Sequence, residues 1–427
     1  MIRMDDKEIC SKLRWNFEGK EEAKKASACT IRSYLNTLNE NINKNDTTTK
    51  KSVIPLSHGD PSGFPSFQTS KVLEDALLDA LQSGKYNGYP QIPVVLQATR
   101  SIAEYLSRDY PYKLSANDVH VTAGATQAID VLLTALAVPG ANILLPRPGY
   151  PTYEAVATYN CLEMRHYDLL PEQEWEVDID GLVALADDRT VAIVVINPGN
   201  PCGNVYKREH LKKIAEAARK VGMLVISDEA YGHLVFGSNP FVPMGVFGEI
   251  APILTIGSIS KRWMVPGWRF GWIVMCDPNG ILQKHGVVES IRNYLNISVV
   301  PPMLTLGAIP RILVETPEEF YSTTINLLRK AADICYAGLR EIPCFTPYKS
   351  QGSMFLMAQL NISFLEGINN DMEYCTRLAK EESVVVLPGE ALGMKNWVRV
   401  TFAVEISALE VGLSRIKAFY FRNAKQQ

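Results

Sequence analysis

Short apolar runs alternate with amphipathic segments from about residue 70 to residue 310, and this alternation limits the possible folds more than any other feature. The segment Arg208–Val221 is typical of an amphipathic helix because Leu211, Ile214 and Ala218 fall on one helical face. The apolar runs lie at residues 119–122, 142–145, 191–196, 223–227, 253–256 and 271–275. They do not alternate with polar residues, so they predict strands that are buried on both faces of a mainly parallel sheet.

The chain has 427 residues, enough for two or three domains of about 150 residues each. We predict an α/β protein in which residues 76–315 form a large domain with a mostly parallel sheet. Beyond Pro317, a helical pattern at 320–339, short strands near 354–360 and 398–402, and a last helix from Ser407 indicate a smaller α+β domain over residues 316–427. Residues 51–75 are assigned to the N-terminal segment of that smaller domain.

Residues 1–50 are polar and rich in Lys, Asn and Thr, with a weak helical pattern around Glu21–Ala28. Residues 39–51 are typical of a solvated linker. We therefore predict an N-terminal arm or linker and assign it no chemistry.

The charge balance and several missing motifs exclude some classes of function. The 43 Lys and Arg residues nearly match the 46 Asp and Glu residues, which leaves a net charge of -3 and no polybasic block. Proteins that bind nucleic acid or anionic membranes gain affinity from clustered Lys and Arg, so we expect neither partner. The spacings CxxC and HExxH are absent, so no metal site is predicted. Without an apolar leader or a spanning apolar run, we expect a cytoplasmic protein.

Small or polar motifs follow the predicted strands, at the edge where open α/β sheets bind ligands. The turn AGATQ at residues 123–127 opens a helix, so the backbone amides of Ala125 and Thr126 suit a phosphate. The loop NPGNPCG at residues 197–203 fixes the direction of the Asn200 amide. Asp228 follows a buried strand, where an acid requires a cation or hydrogen bonds. Taken singly, each motif also fits a structural role, either a tight turn or, for Asp228, a helix N-cap.

Lys261 follows the strand at 253–256 and precedes an apolar, Trp-containing segment. A single lysine is usually a solvated surface charge, but burial beside Arg269 would lower the pKa of this amine from its usual value of about 10.4. A neutral amine is a nucleophile that can form a Schiff base. Ser258 and Arg269 would together offer a hydroxyl and a guanidinium group to a phosphate.

The motifs follow one another on successive strand ends and form a specific set. Pyridoxal 5'-phosphate (PLP) requires such a set, namely a phosphate site, an acid at the pyridine nitrogen, a donor to the ring oxygen and a lysine. The chain contains neither GxGxxG nor GxxxxGK, so no dinucleotide fingerprint or P-loop competes with this interpretation.

The chain closely resembles the fold-type-I PLP-dependent aminotransferases, and within them the tyrosine/nicotianamine aminotransferase group. The resemblance covers about residues 50–422 and is carried by LSHGDPSGFP, YNGYP, TAGATQAI, LLPRPGYPTYE, VVINPGNPCGNVY, VISDEAYGHL, GSISKRWMVPGWRFGW, GSMF and NWVRVTFA. It implies the fold-type-I architecture, PLP as cofactor, and amino acid and 2-oxo acid substrates.

The resemblance also implies roles for single residues at the cofactor. Lys261 would form the Schiff base and move protons, and Asp228 would pair with the protonated pyridine nitrogen. Tyr231 and Asn200 would hydrogen-bond the ring oxygen of PLP. Tyr231 would also be a catalytic residue, and Asn200 would also contact the substrate. The implied phosphate ligands are Ala125, Thr126, Ser258 and Arg269.

Four further residues match family positions around the substrate and the cofactor ring. Tyr150 would stack on the ring, and Arg399 would bind the substrate α-carboxylate as a bidentate pair. Gly59 would let the substrate approach the backbone. Tyr89 would reach the phosphate of the other subunit, which implies a homodimer with shared active sites.

The leading hypothesis is a transaminase that moves the amino group of an aromatic amino acid, tyrosine or phenylalanine, to a 2-oxo acid by a ping-pong mechanism. A carbon–sulfur lyase that works by β-elimination would use the same site, and a nicotianamine-type aminotransferase also stays open. The remaining alternative is a non-catalytic PLP-fold sensor, although residues 1–50 show no helix-turn-helix pattern. Val94 replaces a family glycine and leaves the substrate scope open.

Overall fold

In a computed structural model of the protein, residues 17–42, 51–298 and 301–425 are described. The strands are β1 Ile54–Leu56, β2 Val119–Thr122, β3 Asn142–Arg147, β4 Glu163–Leu170, β5 Glu176–Val177, β6 Thr190–Ile196, β7 Leu224–Asp228, β8 Ile253–Ser258, β9 Gly271–Cys276, β10 Phe345–Pro347, β11 Phe355–Leu360, β12 Val384–Pro388 and β13 Trp397–Thr401. The α-helices are α1 Glu21–Ala28, α2 Ile31–Glu40, α3 Lys71–Gln82, α4 Ile92–Leu106, α5 Ala125–Leu136, α6 Thr152–Tyr159, α7 Ile179–Leu185, α8 Arg208–Val221, α9 Ile281–Lys284, α10 Val287–Ser298, α11 Met303–Glu315, α12 Glu318–Arg340, α13 Asp371–Glu382 and α14 Ile406–Asn423.

Eight strands form the larger sheet, in the order β2-β9-β8-β7-β6-β3-β4-β5. The pairings from β8 to β4 are parallel, whereas β9 pairs antiparallel with both β8 and β2, and β5 pairs antiparallel with β4. In β6 every residue except Val191 is buried, as expected for a strand that is covered on both faces. The predicted α/β class with a mainly parallel sheet is confirmed, and the six predicted strands match β2, β3, β6, β7, β8 and β9.

Helices cover both faces of the larger sheet. Side chains of α5, α6 and α10 form one apolar layer, and side chains of α4, α8 and α11 form the other. In α8 the predicted face of Leu211, Ile214 and Ala218 is buried. This helix ends at Gly222, whose φ of +84° is a left-handed C-terminal conformation that favours glycine.

Five strands form the smaller sheet, in the order β1-β12-β13-β11-β10. Strand β1 is parallel to β12, and the other pairings are antiparallel. Helices α12, α13 and α14 contribute to the apolar core on this sheet. Strand β1 belongs to this sheet, and the assignment of residues 51–75 to the smaller domain stays a prediction, as do the boundaries at residues 76 and 316.

The N-terminal region differs from the predicted arm. Helix α1 coincides with the weak helical pattern, but α2 continues to Glu40, and the sequence predicts no helix there. Leu38 is fully buried, and it follows Ile31 and Leu35 on one side of α2. Helix α1 contacts α6, and α2 contacts α13 and β12. The rest of the predicted arm, residues 1–16 and 43–50, lies outside the described residues.

Strands β4 and β5 also have no counterpart in the sequence prediction. The sequence of β4, EMRHYDLL, mixes charged and apolar residues because several of its side chains are partly or fully exposed near the sheet edge.

No described helix combines the length and the apolar character that crossing a membrane requires. Within the described ranges, no group of three or more His, Cys, Asp or Glu side chains could hold a metal ion.

Candidate active site

Three neighbouring parallel strands, β6, β7 and β8, end at one edge of the larger sheet. Asp228 is the last residue of β7 and lies in register with Ile196, the last residue of β6. The segments after these strands carry Asn200, Tyr231 and Lys261. These predicted residues are therefore at the carboxyl edge of the sheet, where open α/β folds bind ligands.

Lys261 is a partly buried amine that donates a hydrogen bond to the carbonyl oxygen of Gly59. Burial, supported by the positive charges of Arg399 and Arg269, lowers the pKa of Lys261 to about 8, although Asp60 acts in the opposite direction. A substantial fraction of this amine is therefore neutral at slightly alkaline pH, whereas an ordinary lysine is almost fully protonated. Lys261 has the character of a nucleophilic lysine.

Asp228 is 5% exposed and accepts two hydrogen bonds, from the Ala230 amide at 3.0 Å and from the Tyr153 hydroxyl at 2.9 Å. Burial raises the pKa of Asp228, and the two hydrogen bonds act to lower it. In residues 17–42, 51–298 and 301–425, no basic nitrogen lies within 4.0 Å of this carboxylate. A buried acid without a cationic partner suits a protonated ring nitrogen of a ligand.

The N-terminus of α5 forms a candidate phosphate site. Gly124 precedes the helix with a φ of +83°, and the amides of Ala125 and Thr126 lie in the first turn, where backbone amides have no intrahelical acceptor. The Arg269 guanidinium group lies against this turn and donates to the Ala123 carbonyl at 3.0 Å. A Cβ atom on Gly124 would lie 2.4 Å from Nη2 of Arg269, so a larger residue would displace this guanidinium group, and the positive φ also favours glycine.

The pairing of β8 with β9 brings Ser258 to the same place. Ser258 is buried and lies in register with Gly271, and a Cβ atom on Gly271 would lie 2.9 Å from the Ala125 nitrogen. Arg269 donates only to the carbonyl groups of Pro266 and Ala123 among the described residues. A guanidinium group without a carboxylate partner, beside unpaired amides at a helix N-terminus, suits an anion.

Arg399 on β13 is a buried cation that is 2% exposed. Its Nη1 donates to Oδ1 of Asn200 at 2.8 Å, and its Nη2 donates to the Ser57 carbonyl at 2.6 Å. Its Nε has no partner within the described ranges, where no carboxylate lies within 4.0 Å of the guanidinium group either. Burial lowers the pKa of Arg399 to about 10, so the group is still charged at neutral pH. It therefore suits the carboxylate of a small ligand.

Tyr231 and Gly59 meet at the ring of Phe355. The Phe355 ring lies edge-on to the Tyr231 ring at a centroid distance of 5.6 Å, and it lies 4.1 Å from the Arg399 guanidinium carbon. A Cβ atom on Gly59 would lie 2.6 Å from the Phe355 ring and 3.5 Å from the Tyr231 hydroxyl. Burial raises the pKa of Tyr231, so its hydroxyl remains a hydrogen-bond donor.

Tyr150 belongs to this group of residues, and Tyr89 does not. The Tyr150 ring lies edge-on to the Tyr153 ring at a centroid distance of 6.5 Å, and Tyr153 in turn holds Asp228. The Tyr89 side chain is 91% exposed. Its role across a subunit boundary stays a prediction.

Sequence reasoning missed Tyr153, Phe355 and Ser57. The hydrogen bond from Tyr153 to Asp228 joins residues that lie 75 positions apart in the sequence. The only sequence signal for it is that Tyr153 follows Tyr150 by three residues at the start of a helix, so that both rings can lie on one side. Phe355 and Ser57 come from the smaller sheet and its flank, and no local pattern marks their contacts with Arg399.

The chemistry of these groups fits PLP. Among the described residues, Asp228 has no cationic partner and the Arg269 guanidinium group at the helix N-terminus has no anionic partner, while Lys261 is a nucleophilic amine. PLP would supply a partner for each group: its protonated ring nitrogen for Asp228, its phosphate for Arg269 and its aldehyde for Lys261.

Known proteins with similar sequences and structures support this interpretation. Residues 51–416 match the family described as aminotransferase class I and II. Nicotianamine aminotransferase 1 of Oryza sativa subsp. japonica is 58% identical over 375 residues, which cover 88% of this chain and 76% of that protein. S-alkyl-thiohydroximate lyase SUR1 of Arabidopsis thaliana is 46% identical over 413 residues, which cover 96% of this chain and 89% of that protein. The crystal structure of tyrosine aminotransferase from Leishmania infantum matches with a TM-score of 0.87 and 30% identity, over 97% of this chain and 100% of that chain. The chain therefore belongs to the class I and II aminotransferases, a PLP-dependent family of transferases.

Proposed function

We propose that the protein transfers the amino group of an aromatic amino acid, tyrosine or phenylalanine, to a 2-oxo acid by a ping-pong mechanism. The observation that carries the proposal is that three groups meet in one site: a nucleophilic lysine, a buried acid and a buried guanidinium group. Among the described residues the acid has no cationic partner and the guanidinium group has no carboxylate partner. Lys261, Asp228 and Arg399 supply these three groups. They match the amine, ring nitrogen and substrate carboxylate that the reaction must handle.

The side chains around the cofactor would divide its binding between them. Lys261 would hold PLP through Nζ, and Asp228 would keep the proton on the pyridine nitrogen. When bound, PLP supplies a carbon that bonds the substrate nitrogen and a ring that accepts the electron pair released at the substrate α-carbon. Tyr150 would lie against the ring. The proposed phosphate ligands are Ala125, Thr126, Ser258 and Arg269.

Lys261 would also move the proton that amino transfer requires. A buried Nζ whose pKa is lowered to about 8 would be suited to take a proton from the substrate α-carbon and to return it. The Gly59 carbonyl, which accepts a hydrogen bond from Nζ, would help to direct this amine.

Asn200 and Arg399 would link the cofactor to the substrate. The Asn200 oxygen is held by Arg399, which leaves the amide nitrogen of Asn200 to donate to the ring oxygen together with the Tyr231 hydroxyl. Arg399 has five N–H donors, and the unused ones, including Nε, would bind the substrate α-carboxylate. Gly59 would leave room for the substrate, since any larger residue would meet the Phe355 ring.

Aromatic side chains at the site favour an aromatic donor. Tyr150, Tyr231 and Phe355 contribute rings that can pack against a flat side chain, which gains from burial and edge-to-face contact. The likeness to the Leishmania tyrosine aminotransferase supports the same choice.

Two other activities of the same site stay open. The likeness to the rice nicotianamine aminotransferase favours nicotianamine as an alternative donor. The likeness to the thiohydroximate lyase favours β-elimination, in which loss of the α-proton is followed by cleavage of a carbon–sulfur bond. The hypothesis of a non-catalytic sensor is not retained, because the chain belongs to an enzyme family and carries the complete set of candidate groups.

Steady-state rates with one fixed 2-oxo acid acceptor test the proposal. The PLP-loaded protein is mixed with tyrosine, phenylalanine, nicotianamine or aspartate, and formation of the corresponding 2-oxo acid is followed, with Lys261→Ala as the inactive control. We expect the highest kcat/KM for tyrosine or phenylalanine. A higher kcat/KM for aspartate or nicotianamine would refute the aromatic assignment. Release of pyruvate from a thioether amino acid without an acceptor, faster than any amino transfer, would establish the lyase instead.

We also propose a homodimer with shared active sites, in which Tyr89 of each subunit contacts the phosphate bound by the other. The Tyr89 side chain is exposed and therefore available to a partner subunit, which supports this proposal. A cytoplasmic location stays a prediction.

A further inference from the structure

Residues 350–353 form a short segment that precedes β11 of the smaller sheet and hydrogen-bonds two loops of the larger sheet. One loop follows β6 and carries Asn200, and the other follows β7 and carries Tyr231. Both of these residues are proposed to donate to the ring oxygen of PLP. The segment thus touches the two stretches of chain on which the proposed donors lie, although the proposed mechanism gives it no role.

The loop that carries Asn200 is closed on itself and fastened to this segment. The Gly203 amide donates to the Gly199 carbonyl at 3.1 Å, so Asn200 lies within a closed turn. The Gly203 carbonyl accepts hydrogen bonds from the Gln351 amide at 2.7 Å and from the Gly352 amide at 2.9 Å. The position of the Asn200 turn therefore depends on the position of the segment.

The loop that carries Tyr231 is fastened to the same segment. The Leu234 amide donates to the Tyr231 carbonyl at 2.9 Å, and the Leu234 carbonyl accepts a hydrogen bond from the Ser353 amide at 2.9 Å. The Gln351 carbonyl accepts hydrogen bonds from the amides of residues 236 and 237, both at 2.9 Å. A shift of the segment would therefore move both loops, because buried backbone groups keep their hydrogen-bond partners.

Ser350 is the residue whose side chain holds the segment in place. It is 3% exposed, and its hydroxyl lies 2.8 Å from the Gly352 carbonyl oxygen and 3.4 Å from the Gly203 carbonyl oxygen. Gly203 has a φ of +70°, and a Cβ atom on it would lie 2.2 Å from Oγ of Ser350. The hydroxyl therefore packs directly against the Asn200 turn while it donates to the segment.

We propose that Ser350 is a positioning residue that holds the Asn200 amide and the Tyr231 hydroxyl on the ring oxygen of PLP. The inference rests on the proposed function, because it takes these two groups as the donors to that oxygen. Hydrogen bonds donated to an oxygen favour its anionic form, so the two donors would lower the pKa of bound PLP. When Ser350→Ala lets the two loops shift, both hydrogen bonds weaken and this pKa rises.

The test is a pH titration of the absorbance of bound PLP, without substrate, in wild type, Ser350→Ala and Ser107→Ala. Ser107 is the matched control, because its hydroxyl also joins two backbone groups, the Ala103 carbonyl at 2.6 Å and the Leu114 amide at 2.9 Å. We expect Ser350→Ala to raise the pKa of bound PLP by about half a unit, which is about threefold in the protonation constant. Ser107→Ala should leave the pKa unchanged, and equal shifts in the two variants would overturn the proposal.

Hydrogen exchange measures the two loops directly in the PLP-free protein. Peptides that cover residues 197–204 and 231–237 should exchange faster in Ser350→Ala than in wild type, because the loops lose part of their attachment. Ser107→Ala should leave both peptides unchanged. Unchanged exchange of both peptides in Ser350→Ala would overturn the positioning role.

A background without the two donors separates positioning of the donors from general loosening. Asn200→Ala combined with Tyr231→Phe should raise the pKa of bound PLP by about one unit or more, and the addition of Ser350→Ala should cause no further shift. A further shift in this background, or no shift from Ser350→Ala alone, would overturn the role of Ser350 and leave the proposed contacts intact. If removal of both donors leaves the pKa unchanged, the proposed contacts to the ring oxygen are wrong, and the role of Ser350 fails with them.

Discussion

Lys261 differs from an ordinary lysine because burial lowers the pKa of its amine to about 8. Only the neutral amine reacts with acylating reagents, so in the PLP-free protein its labelling rate should rise as the pH passes about 8 and then level off. The exposed Lys24 on α1 serves as the reference lysine in the same sample. Pulse labelling at a series of pH values, with peptide mass spectrometry, measures both rates in one sample. Parallel curves for the two lysines would contradict the lowered pKa.

Tyr153 is the residue whose loss should affect Asp228 without changing its charge. Tyr153→Phe removes the hydroxyl that donates to Oδ2 of Asp228, leaving the Ala230 amide as the other donor. A hydrogen bond to a charged group contributes about 1.5–3 kcal/mol, so we expect PLP affinity and kcat to fall by about tenfold or more. Both are measured in the purified variant, by titration with PLP and by steady-state kinetics.

Tyr159→Phe is the matched control, because it removes a hydroxyl from the other end of α6, away from Asp228. If Tyr153→Phe behaves like Tyr159→Phe, the Tyr153 hydroxyl has no part in holding Asp228.

Asp228→Asn should keep PLP bound but slow the first half-reaction by orders of magnitude, since it removes the charge that would hold the ring proton.

The residues whose chemistry could be predicted from the chain itself are those at the ends of buried strands. Lys261, Asp228 and Asn200 each follow a buried strand, so the parallel sheet alone brings them to one edge. Tyr153 and Phe355 could not be predicted, because their contacts depend on how a helix and the smaller sheet pack on that edge.

At the scale of elements, the turn before α5 is the part of the candidate site that depends most on backbone shape. Gly124→Ala would force a φ of +83° on a residue with a side chain, and its Cβ would lie 2.4 Å from Nη2 of Arg269. Backbone strain of this kind costs about 1–3 kcal/mol, and displacement of the guanidinium group adds to it. We expect PLP to bind at least about tenfold more weakly, as measured by titration.

Gly286→Ala provides the control for this variant. Gly286 also has a positive φ, +74°, but nothing lies within 4 Å of the Cβ it would receive. Gly286→Ala should lower the melting temperature about as much as Gly124→Ala does, and it should leave PLP affinity unchanged. Equal losses of PLP affinity in both variants would mean that the effect comes from general destabilisation and not from the turn.

Element prediction succeeded where burial on both faces makes a strand uniformly apolar, as in β6 and β8. It failed for β4, whose position near the sheet edge leaves charged residues in the strand. It failed for α2 because the apolar stripe of this helix is narrow and its other positions are polar. In both cases tertiary packing, which the local sequence does not record, decides the structure.

At the scale of the whole molecule, the chain brings together two sheets, and the site lies where they meet. Arg399 from the smaller sheet donates to Asn200, which follows a strand of the larger sheet, and to Ser57 beside β1. A substrate held by Arg399 would therefore be positioned by both sheets. One proposed cofactor contact is missing from this single-chain arrangement, because Tyr89 is exposed.

A heterodimer of two impaired variants tests whether Tyr89 completes the site of the other subunit. One chain carries Lys261→Ala and the other Tyr89→Ala, and two affinity tags allow the mixed dimer to be purified. If Tyr89 acts across the boundary, one of the two sites has both an intact Lys261 and an intact Tyr89, and the other site has neither. The activities are compared at limiting PLP, where loss of a phosphate contact matters most. The mixed dimer should then show about half of the wild-type activity per dimer. This activity should exceed that of the Lys261→Ala homodimer and that of the Tyr89→Ala homodimer. If Tyr89 acts within its own chain, no site in the mixed dimer is intact, and its activity should not exceed half that of the Tyr89→Ala homodimer. A mixed dimer of wild type with Lys261→Ala, which keeps one intact site under either arrangement, sets the reference for half activity.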